Sequence, residues 1–210
     1  GLAAKNAATE LREKICAKAA QMWDVDAADV VFDGQYVRLS DERAAREQNR
    51  YLTLRDFANL CVKNIAGGDA LTSHASACLP VSPPPFMAGI AEVEVDKATG
   101  KVTVVDYAAA VDCGTVINEA LARVQAEGGI AQGIGHALYE IVEHDERGRL
   151  RTGNFMSYKL PTRLDIGNIR VAFEPSYEPT GPFGAKSIGE VVINTPLAAV
   201  ASAVAHATGH

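Results

Sequence analysis

Apolar and polar residues alternate through Ala91-Glu92-Val93-Glu94-Val95-Asp96 and again through Lys101-Val102-Thr103-Val104-Val105-Asp106-Tyr107, with Lys97-Ala98-Thr99-Gly100 between them. Successive strand side chains point to opposite faces, so the pattern predicts an antiparallel pair with one face buried and one solvated. A second hairpin is predicted at Val30-Val31-Phe32 and Gln35-Tyr36-Val37-Arg38-Leu39, joined by Asp33-Gly34. Helical spacing predicts a helix over 2–20, where Leu11, Ile15 and Ala19 recur four apart, and a short one over 54–63 with Thr53 as N-cap. The first helix opens at residue 1 without a cap, as expected of a chain cut from a longer one or completed by another polypeptide. A long helix is predicted over 119–142, with Val124, Gly128, Ala131, Gly135, Leu138 and Val142 on one face. The last helix is predicted over 197–208, with Thr195 as N-cap and Pro196 at the first helical position. Its Ala and Val content predicts burial over most of its surface, and Gly209 a stop. Strands are read at Arg149-Leu150-Arg151-Thr152 and Ile169-Arg170-Val171-Ala172-Phe173. The fold class is α+β: antiparallel hairpins packed with helices, without regular βαβ alternation. Residues 1–210 read as one domain segment, divisible at 1–86 and 87–210.

Two stretches depart from these patterns. Residues 179–190 hold two prolines and three glycines, which forbids both a helix and a paired strand and predicts a shaped loop ending at Glu190. Glu190 follows Gly189 and lies among Ile188, Val191, Val192 and Ile193. A carboxylate there would be partly desolvated and its pKa raised towards the range useful to a general base; a solvated turn Glu is the alternative. The long helix carries Gly128, Gly129, Gly133 and Gly135, at about 1 kcal/mol each relative to Ala. Close approach of another element, or of a cofactor, would offset that. Gln125 and Gln132, seven apart, share a face and could offer amide donors and acceptors to a polar ligand. Residues 64–86, from Gly67-Gly68 through Ser73-His74 to Pro80 and Pro83-Pro84-Pro85, read as a binding loop or linker, with His74 solvated.

Composition narrows the classes. With 48% hydrophobic and 22% charged residues the 210-residue chain is globular and not disordered. A net charge of -6 without a run of Lys or Arg argues against nucleic acid and against an anionic membrane as partner. No apolar run is read as approaching the roughly 18 residues that span a bilayer, and no signal peptide is evident, so a cytoplasmic chain is expected. Cys16, Cys61, Cys78 and Cys113 lack metal or cluster spacing and are expected to be packed thiols.

The string Gly-Pro-Phe-Gly-Ala-Lys-Ser-Ile-Gly-Glu at 181–190 occurs together with Asp112-Cys113-Gly114, Ile117-Asn118, Gln125-Ala126-Glu127-Gly128-Gly129 and Gln132-Gly133-Ile134-Gly135. In that order these resemble the molybdenum-binding subunit of the xanthine dehydrogenase/aldehyde oxidase family, over essentially the whole chain but only as the C-terminal part of such a subunit. The resemblance implies hydroxylation of an electron-poor carbon with water as oxygen source, with Glu190 as the general base. It assigns cofactor contact to Gln125 and to Gly184, Ala185, Lys186 and Ser187, the four loop residues acting mainly through backbone groups. The cofactor implied is molybdopterin, as such or as its cytosine dinucleotide, holding molybdenum without a protein metal ligand. The 2Fe-2S and FAD groups would lie on partner domains or subunits, alongside the remainder of the molybdenum subunit. A xanthine dehydrogenase-like enzyme acting on a purine or N-heterocycle is expected; an aldehyde oxidoreductase, an inert half-site and a degenerate binding module are the alternatives. Glu119 stands where the family has Pro, which bears on the entry to the glycine-rich helix and not on Glu190.

Overall fold

Two three-stranded sheets organise the chain, one in each of two units, Gly1–Cys78 and Leu79–His210. The computed structural model describes residues 1–63, 71–79 and 81–209.

In the first unit, α1 (Leu2–Trp23) runs past the predicted end and stops where Asp24 turns left-handed at φ 52°. Strands β1 (Val30–Phe32) and β2 (Tyr36–Leu39) form the expected hairpin, in which the Asp33 carboxylate accepts the N–H groups of Gln35 and Tyr36. Two short elements follow that the pattern did not predict, α2 (Glu42–Glu47) and β3 (Tyr51–Thr53), the latter pairing with β2. Neither is long enough to show a period. Asp41 caps α2 by accepting from Arg43 and Ala44, and Arg43–Glu47 and Arg46–Glu42 pair one turn apart along it. Helix α3 (Leu54–Lys63) is capped as expected, Thr53 Oγ1 accepting the Asp56 N–H at 3.1 Å. Ile15, Ala19, Val37 and Phe57 form the core of this unit. Of the 64–86 stretch, Gly67, Gly68 and Pro80 lie outside the described residues. The Ser73 hydroxyl donates to the Ala7 carbonyl and the Lys14 ammonium to that of Thr72, tying 72–73 to α1, and His74 is exposed.

In the second unit, β4 (Phe86–Val95) pairs antiparallel with β5 (Val102–Asp112), both longer than the alternation predicted, with a bulge at Glu92/Val93. Helix α4 (Glu119–Leu138) then crosses to β6 (Asn168–Phe173), which runs parallel to β5. Among the described residues this βαβ crossover sits inside an otherwise antiparallel plan. The predicted strand at 149–152 is not formed; His144 and Leu150 make one isolated bridge.

The buried residues of α4 are Ala126, Ile130, Gly133, Ile134 and Gly135, with Leu138 packed against the same core, whereas Val124 is 67% exposed, Gly128 is exposed, and Val142 lies beyond the helix end. The predicted face is therefore met in its second half, at Gly135 and Leu138, and not in its first, where Val124 and Gly128 turn outward and Ala126 and Ile130 are buried instead. Helix α5 (Val191–Thr208) opens six residues before the predicted start, so Thr195 is not its cap and Pro196 lies inside it. The reason is packing against α4. A Cβ at Gly129 would stand 2.3 Å from Val192 Cγ2, and one at Gly133 2.7 Å from Pro196 Cβ, so the two glycines let α5 lie directly on α4. Burial of the Pro196 ring offsets a ladder hydrogen bond that proline cannot donate. Thr195 instead bonds the buried Tyr107 hydroxyl of β5 at 2.9 Å, across the space left by Gly89 of β4.

Burial of α5 is limited to Val192, Pro196 and Val200, with Leu197 48% exposed, so the expected burial over most of its surface is not met within this chain. The extended α5 also corrects the reading of apolar runs: its 18 residues are long and apolar enough to cross a membrane by length and composition. Val192 and Val200 nonetheless pack it into the core formed with α4 and the sheet, and Pro196 lies against Gly133 of α4. Cys61 and Cys113 are buried, Cys16 is half-buried, and Cys78 is exposed, which departs from the expectation that all four are packed.

Candidate active site

The 181–190 segment is a shaped loop, although it holds one short 3-10 turn and an isolated bridge from Ala185 to Gly114 that the prolines and glycines were expected to forbid. Pro182–Gly184 forms a 3-10 turn in which Phe183 (φ 56°) and Gly184 (φ 84°) are both left-handed. Left-handed backbone at two successive residues reverses the chain tightly, and glycine at the second is required twice over. A Cβ on Gly184 would lie 2.3 Å from the Tyr177 ring and 2.6 Å from Thr115 Oγ1. The segment then docks on the end of β5: Thr115 N–H donates to Gly184 O at 2.9 Å, and Lys186 N–H donates to Cys113 O at 2.7 Å. A Cβ on Gly114 would strike Gly184 O at 2.4 Å, so the Asp112-Cys113-Gly114 motif supplies a bare backbone for the loop to rest on. The two sequence motifs are thus one structural joint. Burial pushes the Cys113 thiol pKa up, which suits a packed residue.

The four loop residues expected to meet a cofactor divide. Gly184 is buried, and the N–H groups of Gly184, Ala185 and Lys186 donate to Gly181, Pro182 and Cys113 inside the chain. Their backbone donors are therefore already engaged. Ser187 is exposed. The Lys186 side chain is only 9% exposed and turns inward, its Nζ 2.5 Å from Asp112 Oδ2 and 5.3 Å from the Phe86 ring centroid. Asp112 also accepts from the Ser176 hydroxyl at 2.6 Å and the Gly114 N–H at 3.0 Å. The Lys186 ammonium, then Ser176, then the Gly114 amide hold the Asp112 carboxyl down at about 2. Asp112, Ser176, Tyr177 and Phe86 were not singled out as site residues from the sequence, since their partners lie far away along the chain.

Glu190 is the N-cap residue of α5, not a loop residue five positions ahead of a helix. Its side chain makes no capping bond and is exposed. Val192 is turned into the core while Ile188, Val191 and Ile193 are half-buried, so the expected burial by apolar neighbours is absent within this chain. Glu190 faces a cleft of about 290 Å³, lined also by Gln125, Gly128, Gln132 and Gly189. The two glutamines share this cleft, as their spacing implied. Gln125 Nε2 donates to Gly189 O at 2.7 Å, fixing the peptide just before Glu190.

The cleft suits part of a polar cofactor. Its volume is at the lower bound for a whole ligand pocket, roughly 300 Å³. Of the four α4 glycines, Gly129 and Gly133 accommodate α5 and Gly135 accommodates Glu140 and Pro161, but a Cβ on Gly128 would meet nothing within 4 Å. The fold of this chain does not need a glycine at 128; a group lying along the cleft would. Amide donors on one side and a carboxylate at a helix N-terminus on the other complete a polar wall.

Comparison with known proteins places the chain in a family. Residues 1–167 match the family model described as the molybdopterin cofactor-binding domain. A probable hypoxanthine oxidase of Escherichia coli K12 is 34% identical over 210 residues, 100% of this chain and 21% of that protein. The xanthine dehydrogenase molybdenum-binding subunit of Escherichia coli O157:H7 is 33% identical over 208 residues, 99% of this chain and 27% of that protein. The crystal structure of quinoline 2-oxidoreductase from Pseudomonas putida 86 superposes with a TM-score of 0.73 at 31% identity, covering 97% of this chain and 26% of that one. The chain thus spans about a quarter of the length of these relatives. The family model stops before the 181–190 segment, but the alignment to the hypoxanthine oxidase runs the full length of the chain and includes it. With the glycine-lined cleft, the family model over most of the chain and these relatives in agreement, the chain belongs to the molybdopterin cofactor-binding domain family of the molybdenum hydroxylases.

Proposed function

We propose that this chain forms the base-bearing part of a molybdenum hydroxylase site that oxidises a purine or related N-heterocycle, with Glu190 as general base. The observation that carries the reading is the convergence of Glu190, Gln125, Gln132 and the open Gly128 wall on one cleft. Names of relatives support the substrate class: hypoxanthine, xanthine and quinoline are all electron-poor N-heterocycles. An aldehyde is the runner-up substrate.

Hydroxylation of a C–H with water as oxygen source releases two electrons and two protons. When bound, the molybdenum cofactor supplies the redox centre that takes the electrons. Gln125 and Gln132 would hold its pterin, in plain or cytosine dinucleotide form, along the Gly128 wall, with the exposed Ser187 as a further contact. Glu190 accepts a proton at its carboxylate, on a residue held in place from two sides: by Gln125 at Gly189 and by the helix that begins after it. Glu190 is exposed in this chain, and the rest of the subunit would cover it. Iron–sulfur and flavin groups on partner domains or subunits would carry the electrons onward in a cytoplasmic complex.

The test is molybdenum and pterin analysis of the full-length protein followed by turnover on xanthine, hypoxanthine, quinoline and a set of aldehydes. Molybdenum with N-heterocycle turnover supports the reading. Molybdenum with aldehyde turnover only would replace the substrate class, and absence of molybdenum would leave a degenerate binding module.

A further inference from the structure

We propose that Lys186 is a positioning residue and not a cofactor contact: bound to Asp112 beneath the Phe86 ring, it fastens the 181–190 segment to the end of β5 and so fixes where Glu190 stands. Lysine is a compact, strongly hydrated charge on a flexible stem, rarely buried without a partner. Here the side chain is 9% exposed and its ammonium is 2.5 Å from Asp112, whose second oxygen takes the Ser176 hydroxyl at 2.6 Å. Three segments therefore meet at one carboxylate: the end of β5, the stretch after β6, and the loop that leads to the base. The Lys186 N–H to Cys113 O bond of 2.7 Å lies alongside, so side chain and backbone of one residue grip the same strand end. Removing either charge leaves the other partly buried without compensation, a larger penalty than the pair is worth in itself.

Glu190 lies four residues on, with Gln125 holding Gly189 between them. A clamp at 186 and a hydrogen bond at 189 leave Ser187 and Ile188 as the part free to adjust. This inference rests on the proposed role of Glu190 only for its effect on turnover; the clamp itself is tested without it.

The experiment compares Lys186→Met, Asp112→Asn and the double variant in the full-length protein, with Glu190→Gln in the same series. Amide hydrogen exchange over 184–190 is expected to rise about tenfold in each single variant and no further in the double. Molybdenum content should stay at the wild-type level, and kcat should fall by about 10-fold to 100-fold with KM unchanged, as for a base displaced by a fraction of its reach. Unchanged exchange over 184–190 in both single variants overturns the clamp. So does loss of molybdenum in Lys186→Met that Asp112→Asn does not share, because it would make Lys186 a cofactor contact. Should Lys186→Met fail to fold, the nearly isosteric Asp112→Asn probes the same pair. Full turnover in Glu190→Gln removes the base reading while the exchange result on Lys186 still stands.

Discussion

Replacing Gly133 and Gly128 separately by Ala asks whether the glycines of α4 serve the fold or the cleft. In a helix interior Gly→Ala is favourable by about 0.5–1 kcal/mol when the methyl meets nothing. At Gly133 the new Cβ would stand 2.7 Å from Pro196 Cβ, 2.9 Å from Pro196 Cγ and 3.2 Å from the Ile193 carbonyl oxygen. Neither a proline ring nor a helix carbonyl can rotate aside, so α5 must shift as a body. Overpacking of this kind costs roughly 1–3 kcal/mol, which exceeds the propensity gain and gives a net loss of up to about 2 kcal/mol. At Gly128 nothing lies within 4 Å, so only the gain remains. The assay is urea unfolding of cofactor-free full-length protein, read as the midpoint of the transition of this region at unchanged slope, together with molybdenum content after reconstitution. Gly133→Ala should lower the midpoint; Gly128→Ala should raise it slightly while cutting molybdenum content. Equal behaviour of the two variants in both readouts would refute the division of labour along α4.

Further outcomes follow from single contacts. Asp112 is held at about 2 in the folded state against 3.8 for an unperturbed carboxyl, so its contribution is complete above 3.8 and lost as pH falls towards 2. That is about 2 kcal/mol, and acid titration of Asp112→Asn should lack this component of unfolding. Gln125→Ala removes the bond to Gly189 and an amide from the cleft, and should lower both molybdenum content and kcat, measured side by side. Asn118 caps α4 by accepting the Leu121 N–H at 3.0 Å, so Asn118→Ala should destabilise by about 1 kcal/mol in urea while leaving KM unchanged.

How much of this was legible beforehand depended on the range of the interactions. The β4–β5 pair announced itself because alternation is a local consequence of the pleat, and α1 and α3 through spacing and a Thr53 cap. The start of α5 was misread because Thr195-Pro196 is a sound local signal for a helix N-terminus, overridden by Val192 and Pro196 seating on Gly129 and Gly133 some 63 residues earlier. The same contact carries the helix back to Val191 and makes Glu190, the predicted end of the loop, its N-cap. Of the four glycines in α4, Gly129, Gly133 and Gly135 have the close approach that the sequence calls for and Gly128 does not, a division that could be decided only once α5 was placed. The resemblance speaks for the backbone of Lys186 and not for its side chain, whose partner Asp112 is 74 residues away, so no local pattern points to that pair. Short elements without a period, α2 and β3, had no signal to read.

The account turns on Glu190, and the most direct measurement is Glu190→Gln in the full-length protein, with molybdenum content and single-turnover rate determined on the same preparation. The substitution keeps shape and removes the proton acceptor. The account predicts wild-type molybdenum content and a rate lower by about 10²–10⁴-fold, the range supplied by a positioned general base. A rate within a few fold of wild type at full molybdenum occupancy would contradict it.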